Sequence, residues 1–193
     1  MIPAIVKRPR HEIGVLGWSD ENTLDLNNPA EEERLLAKAI DAVAKASGKK
    51  PVGARGPSSV VSLHTLGLVK KAGLLYDSTL MAMDEPYEIV SNGQPTGLTE
   101  LSIDWTLTET PYLGRTGAMP SSEQLYQLYR EEFDGAYEQR TMFVLTLHPH
   151  VTGHRAPMRH LDQFVSYMKS KPGVWFATGE QIARYLKTAQ RTD

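Results

Sequence analysis

Apolar positions along the chain switch between a period near two and a period near 3.6. That alternation predicts short strands interleaved with helices. The clearest helix is Pro29 to Ser47, where Leu35, Leu36, Ala39, Ile40 and Val43 fall on one stripe. Asn28 stands as its N-cap, Pro29 suits the first helical position, Glu31 sits where a capping box puts its acid, and Gly48 ends it. Met1 to Arg8 reads as the end of a helix stopped by Pro9. Ser62 opens a helix carrying Leu63, Leu66 and Val69, which Gly73 stops. Ser121 or Ser122 caps a helix running to Gln139, with Leu125, Leu128, Tyr129 and Phe133 inward. Pro157 opens another, with Leu161, Phe164, Val165 and Met168 on one side, and Thr178 with Gln181 makes a capping box for the last. Strands are predicted at Glu12 to Leu16, Val52 to Arg55, Leu74 to Asp77, through TELSIDWTL, at Thr141 to Leu147 and at Val174 to Ala177. Residues 82–98 are rich in Gly, Pro, Asn and Asp and read as a loop.

This order favours an α/β fold with parallel strands, in one domain over residues 1–193. Composition removes several function classes. The net charge is −2 with no like-charge run longer than Glu31-Glu32-Glu33, so neither a nucleic-acid partner nor a membrane surface is expected. No apolar run approaches a membrane span, and the start does not read as a signal peptide, so a cytoplasmic location is the expectation. There is no cysteine, which leaves six histidines and the acids as metal ligands.

Ligands of parallel α/β folds bind beyond the carboxyl ends of the strands. Asp20, Arg55, Asp77 and His148 all fall at such ends. His148 follows a nearly continuous apolar run and suits a general acid, or it caps loop carbonyls. His150 and His154 lie in a loop and read as solvated or structural. Arg55 in GARGPSS either grips a carboxylate or makes a structural salt bridge. Asp77 either caps the turn at Ser78 and Thr79 or orients His148. Trp18 is packing or the floor of a sugar or heterocycle pocket. Asp20 suits a hard cation but is one carboxylate, and Leu16, four positions before it, offers no donor.

HEIGVLGW, PVGARGPSS, GLLYDSTLM, LTLHPH and GVWFATGEQIA occur in this order, and the series resembles the polysaccharide deacetylase family, the NodB-homology carbohydrate esterases. The chain is most similar to the allantoinase-like and peptidoglycan-deacetylase-like branch, over about residues 2 to 187. The resemblance implies a distorted (β/α) barrel and hydrolysis of an acetamide or another non-peptide C–N bond. It implies a divalent ion such as zinc to polarise the carbonyl, a carboxylate base, and a histidine that protonates the leaving amine. His148 then matches the acid and Arg55 the arginine that orients the catalytic aspartate. Asp77 matches a common aspartate of the branch, and Trp18 and Pro57 are the candidate substrate contacts. Leu16 and Asp20 fall on the two histidine ligand positions.

The departures carry as much as the matches. The first motif, which holds the base and the third ligand, has no counterpart, so the barrel is expected to lack its first strands. Thr108 and Glu109 stand where the branch has two adjacent aspartates. Zinc is expected to be absent or weakly held, with Asp20 as a remnant ligand, and turnover to be impaired or lost. The alternative is a non-catalytic module or gene fragment that binds a small molecule or carbohydrate, or that forms a homo-oligomer over the open sheet edge.

Overall fold

The computed structural model describes residues 2–8, 10–18, 28–113 and 120–189. Its elements are α1 (Ile2–Val6), α2 (Pro29–Ser47), β1 (Gly53–Ala54), α3 (Thr65–Lys71), β2 (Tyr76–Asp77), β3 (Tyr87–Ser91), β4 (Gln94–Glu100), α4 (Ser122–Gln139), α5 (Pro149–Thr152), α6 (Arg155–Ser170) and α7 (Gly179–Ala189). Contacts divide the chain into two compact units, residues 1–102 with 177–193, and residues 103–176. No helix among the described residues is long and apolar enough to cross a membrane.

In the first unit the sheet order is β1-β2-β4-β3. β1, β2 and β4 are parallel, and β3 runs antiparallel against β4. α2, α3 and the sheet close on Val15, Ala39, Ile40, Ala54, Val69, Leu74, Ile89 and Leu98. The helix ends follow local chemistry. Asn28 accepts the Glu31 N–H at 3.1 Å, and Gly48 leaves α2 with φ of 75°. Thr178 and Gln181 exchange the two capping-box bonds at the start of α7. In the second unit α4 and α6 pack through Tyr126, Tyr129, Phe133, Phe164 and Met168, with Leu107 beneath them. Ser121 and Gln124 form the capping box of α4.

Several expected elements differ. Residues 87–98, read as loop, form most of the β3–β4 hairpin. Asn92 and Gly93 have φ of 51° and 72°, the left-handed pair that a tight hairpin turn requires. The strand expected through TELSIDWTL ends at Glu100, and residues 101–104 are irregular. The apolar run Thr141 to Leu147 is half-buried and makes one bridge among the described residues, Thr146 with Thr108, while Phe143 and Leu145 pack on the helices. Val174 to Ala177 is irregular, with Trp175 and Phe176 exposed. Glu12 to Leu16 reduces to a bridge between Val15 and Ala54, and the strands at 52–55 and 74–77 shorten to β1 and β2.

The helix expected from Ser62 begins at Thr65. The Ser62 hydroxyl accepts the N–H groups of His64 and Thr65, which holds a turn ahead of the helix and leaves Leu63 fully exposed. α1 ends at Val6, and Pro9 lies outside the described residues. α6 begins two residues before Pro157, at Arg155. Glu31 does not complete a capping box, because Arg34 takes both its oxygens. Tyr126, rather than Leu128, is buried on α4. His150 lies on α5, where Pro149 is the first helical residue.

Candidate functional site

β1 and β2 end at a cleft in the first unit. Arg55, Asp77, Trp18 and Pro57 all line it, so four of the residues singled out from sequence come together there. Gly17 has φ of 61°, and a Cβ on it would lie 2.9 Å from Pro57, so glycine lets this segment close on the cleft wall. Trp18 is half-exposed, and Lys38 Nζ sits 3.8 Å from its ring centroid. Leu35, Leu36, Val60 and Val69 complete an apolar lining. Glu32, unremarked in the sequence, also faces the cleft and accepts the hydroxyls of Ser62 and Thr65.

The parallel register sets the polar floor. Arg55 donates from Nε to the Ser78 carbonyl and from Nη2 to the Ser78 hydroxyl, both at 2.8 Å. Ser78 in turn donates to the Leu101 carbonyl at 2.7 Å. Asp77 caps its own turn, accepting the Thr79 N–H at 2.9 Å, and Thr79 accepts the Gly56 N–H at 2.8 Å. Burial pulls the Arg55 guanidinium below its usual range, while Tyr76, Asp77 and Glu100 act the other way. Asp77 is fully buried, and burial raises its carboxyl.

The second unit holds His148 where the half-buried run ends. Its Nδ1 lies 2.8 Å from Glu109 Oε2. A carboxylate there accepts, so Nδ1 carries the proton. Glu109 Oε1 also accepts the His148 N–H at 2.8 Å and the Thr152 hydroxyl at 2.5 Å. Glu109 is 2% exposed, whereas the His148 side chain is 40% exposed, so the acid is sunk and the ring reaches out. Burial pushes the Glu109 carboxyl up, but the bonds from Thr152 and His148 outweigh it and hold it below the usual range. This buried acid, noted in the sequence only as a departure, is the partner of His148. His154 bonds the His150 carbonyl through Nε2, a structural role.

Leu16 is half-exposed hydrocarbon, and Asp20 lies outside the described residues. Among the described residues no three His, Asp or Glu side chains gather into a site. The hydrocarbon side chain of Leu16 offers zinc no donor, and no step below runs through a metal.

No family profile matches the chain. It is 26% identical over 203 residues to a peptidoglycan deacetylase of Helicobacter pylori, covering 90% of this chain and 69% of that protein. The crystal structure of a Mycobacterium smegmatis protein assigned to the polysaccharide deacetylases superposes with a TM-score of 0.87 at 30% identity, covering 98% of this chain and 67% of the other. PuuE allantoinase superposes with a TM-score of 0.80 at 26% identity, covering 95% of this chain and 61% of the other. The chain thus spans roughly two thirds of the length of these relatives. Fold and sequence agree: the chain belongs to the polysaccharide deacetylase family, as a deacetylase-like hydrolase with the distorted α/β barrel fold of its NodB-type members.

Proposed function

We propose that this chain acts on a non-peptide C–N bond, in an N-acetyl sugar or a related amide, and that its metal-dependent turnover is impaired as the chain stands. One contrast carries the proposal: His148 is held by Glu109 in a proton-transfer arrangement, while Leu16 offers nothing to a metal. His148 Nε2 is the atom that gives a proton to the leaving amine. Glu109 keeps the ring oriented and stabilises the imidazolium that precedes the transfer. In the first unit's cleft, Trp18 and Pro57 offer an apolar face to a sugar or ring amide, and Arg55 supplies a positive charge at its floor. Without a metal donor at Leu16 the chemistry would lose the metal's share of oxyanion stabilisation, and losing one such element typically slows a reaction by about 10²–10³-fold.

A second reading is a ligand-binding module without turnover. The formed cleft favours it, because binding needs the walls and not the metal. Metal analysis bears on both. After loading with excess zinc and desalting, the purified chain is expected to retain well under one equivalent. A full equivalent would mean that Leu16 and Asp20 do not mark the ligand positions.

A further inference from the structure

Asp77 on β2 and Glu100 on β4 are register partners and are both fully buried. Each gives one oxygen to a backbone N–H: Thr79 to Asp77 Oδ1 and Leu80 to Glu100 Oε1, both at 2.9 Å. The other oxygens, Asp77 Oδ2 and Glu100 Oε2, are buried and receive no donor from the described residues. We propose that Asp77 and Glu100 form a single acid pair, with one proton held between Asp77 Oδ2 and Glu100 Oε2, and that the pair positions Arg55.

Ionised carboxylates only accept hydrogen bonds, so two of them side by side leave both oxygens unsatisfied and their charges opposed. One proton removes both costs, because the acid O–H donates to the neighbouring carboxylate. Burial, and then the Asp77 charge, hold the Glu100 carboxyl up at about 8, and burial raises Asp77 as well. The other charged or titratable groups acting with the pair are Arg55 beyond β1 and Tyr87 on β3, while Tyr76 on β2 acts on Arg55. Glu32 of α2 faces the same cleft, and Glu180 of α7 acts on Tyr76. With one proton in place, the pair's single negative charge balances the guanidinium. The pair also grips the N–H groups of Thr79 and Leu80, which follow Ser78, and Ser78 holds Arg55 by its carbonyl and hydroxyl. Glu100 is thus a positioning residue. This role does not depend on turnover, so it stands or falls apart from the proposed function.

Carboxyl ¹³C NMR of the full chain labelled at Asp and Glu, from pH 4 to 10, reads the pair directly. One carboxyl is expected to titrate above pH 7. The folded chain then keeps a proton that the unfolded chain releases near pH 4.3. Stability therefore falls as pH rises from that value through the folded-state step. Thermal melts of the wild type should drop by about 5 °C or more across this range. Glu100→Gln, whose amide N–H replaces the acid O–H, should fold, lose the alkaline step and melt at a nearly constant temperature. Both wild-type carboxyls titrating below pH 5.5 would overturn the proposal without recourse to any variant. So would an alkaline step that persists in Glu100→Gln.

Discussion

Replacing Gly53 by alanine is expected to destabilise the chain by about 3 kcal/mol. The expected fall in Tm is about 6–12 °C. A Cβ at Gly53 would lie 1.9 Å from Tyr76 Cζ, inside the ring's own contact radius. The ring cannot swing aside. A Cβ at Gly179 would meet it at 2.5 Å, so glycine backbone also presses on it there. Its hydroxyl donates to Glu12 Oε1 at 2.9 Å, and Glu12 Oε2 accepts the Glu180 N–H at 2.8 Å, which ties the ring to the first turn of α7. Trimming the ring should remove the clash, so Gly53→Ala should cost far less in a Tyr76→Ala background. A Gly53→Ala chain that melts with the wild type would show that Tyr76 is not pinned.

Glu109→Ala is expected to cost about 3 kcal/mol at neutral pH, because it removes a buried charged acceptor that three donors share. The His148 N–H, the His148 ring and the Thr152 hydroxyl all lose their acceptor. Glu109→Gln keeps the volume and removes the charge, which makes it the cleaner probe of pH. The folded-state Glu109 carboxyl lies below the usual carboxylate range. Its stabilisation is therefore present above about pH 4.3 and is lost as pH falls through the folded value. The gap in Tm between wild type and Glu109→Gln should be widest near pH 7 and should narrow as pH falls below about 4.3 toward the lowered folded-state value. A gap that does not change with pH would mean that Glu109 acts by shape alone. Glu100 has the opposite sign, so the two acids are separable in one set of melts.

Helix ends were legible because their chemistry is local. Asn28, Pro29 and Gly48 bound α2, and Thr178 with Gln181 starts α7, as their spacing requires. The β3–β4 hairpin was hidden by Pro86, Gly93, Pro95 and Gly97, which resemble loop composition. Pro95 is tolerated because β2 pairs with β4 only at Thr99 and Glu100, leaving Pro95 flanked by β3 alone. The Asn92-Gly93 pair was the available signal. The runs at 141–147 and 174–177 were over-read, because apolar residues that pack on helices or face outward look like a strand in one dimension.

The cleft was partly legible. Arg55 and Asp77 stand at strand ends as expected, and the turn-capping reading of Asp77 holds through its bond to Thr79. Glu100 was missed because its meaning lies in the register with Asp77, 23 positions away, and no local pattern encodes that. Glu109 was missed as a partner for the same reason. Its bond to His148 spans 39 positions.

Acetate release from N-acetylglucosamine oligomers, followed with saturating zinc and with a chelator, tests the impaired-hydrolase reading most directly. The expected result is a rate that zinc does not raise and that Leu16→His alone does not restore. Turnover that zinc raises, that the chelator abolishes and that His148→Ala eliminates would contradict it.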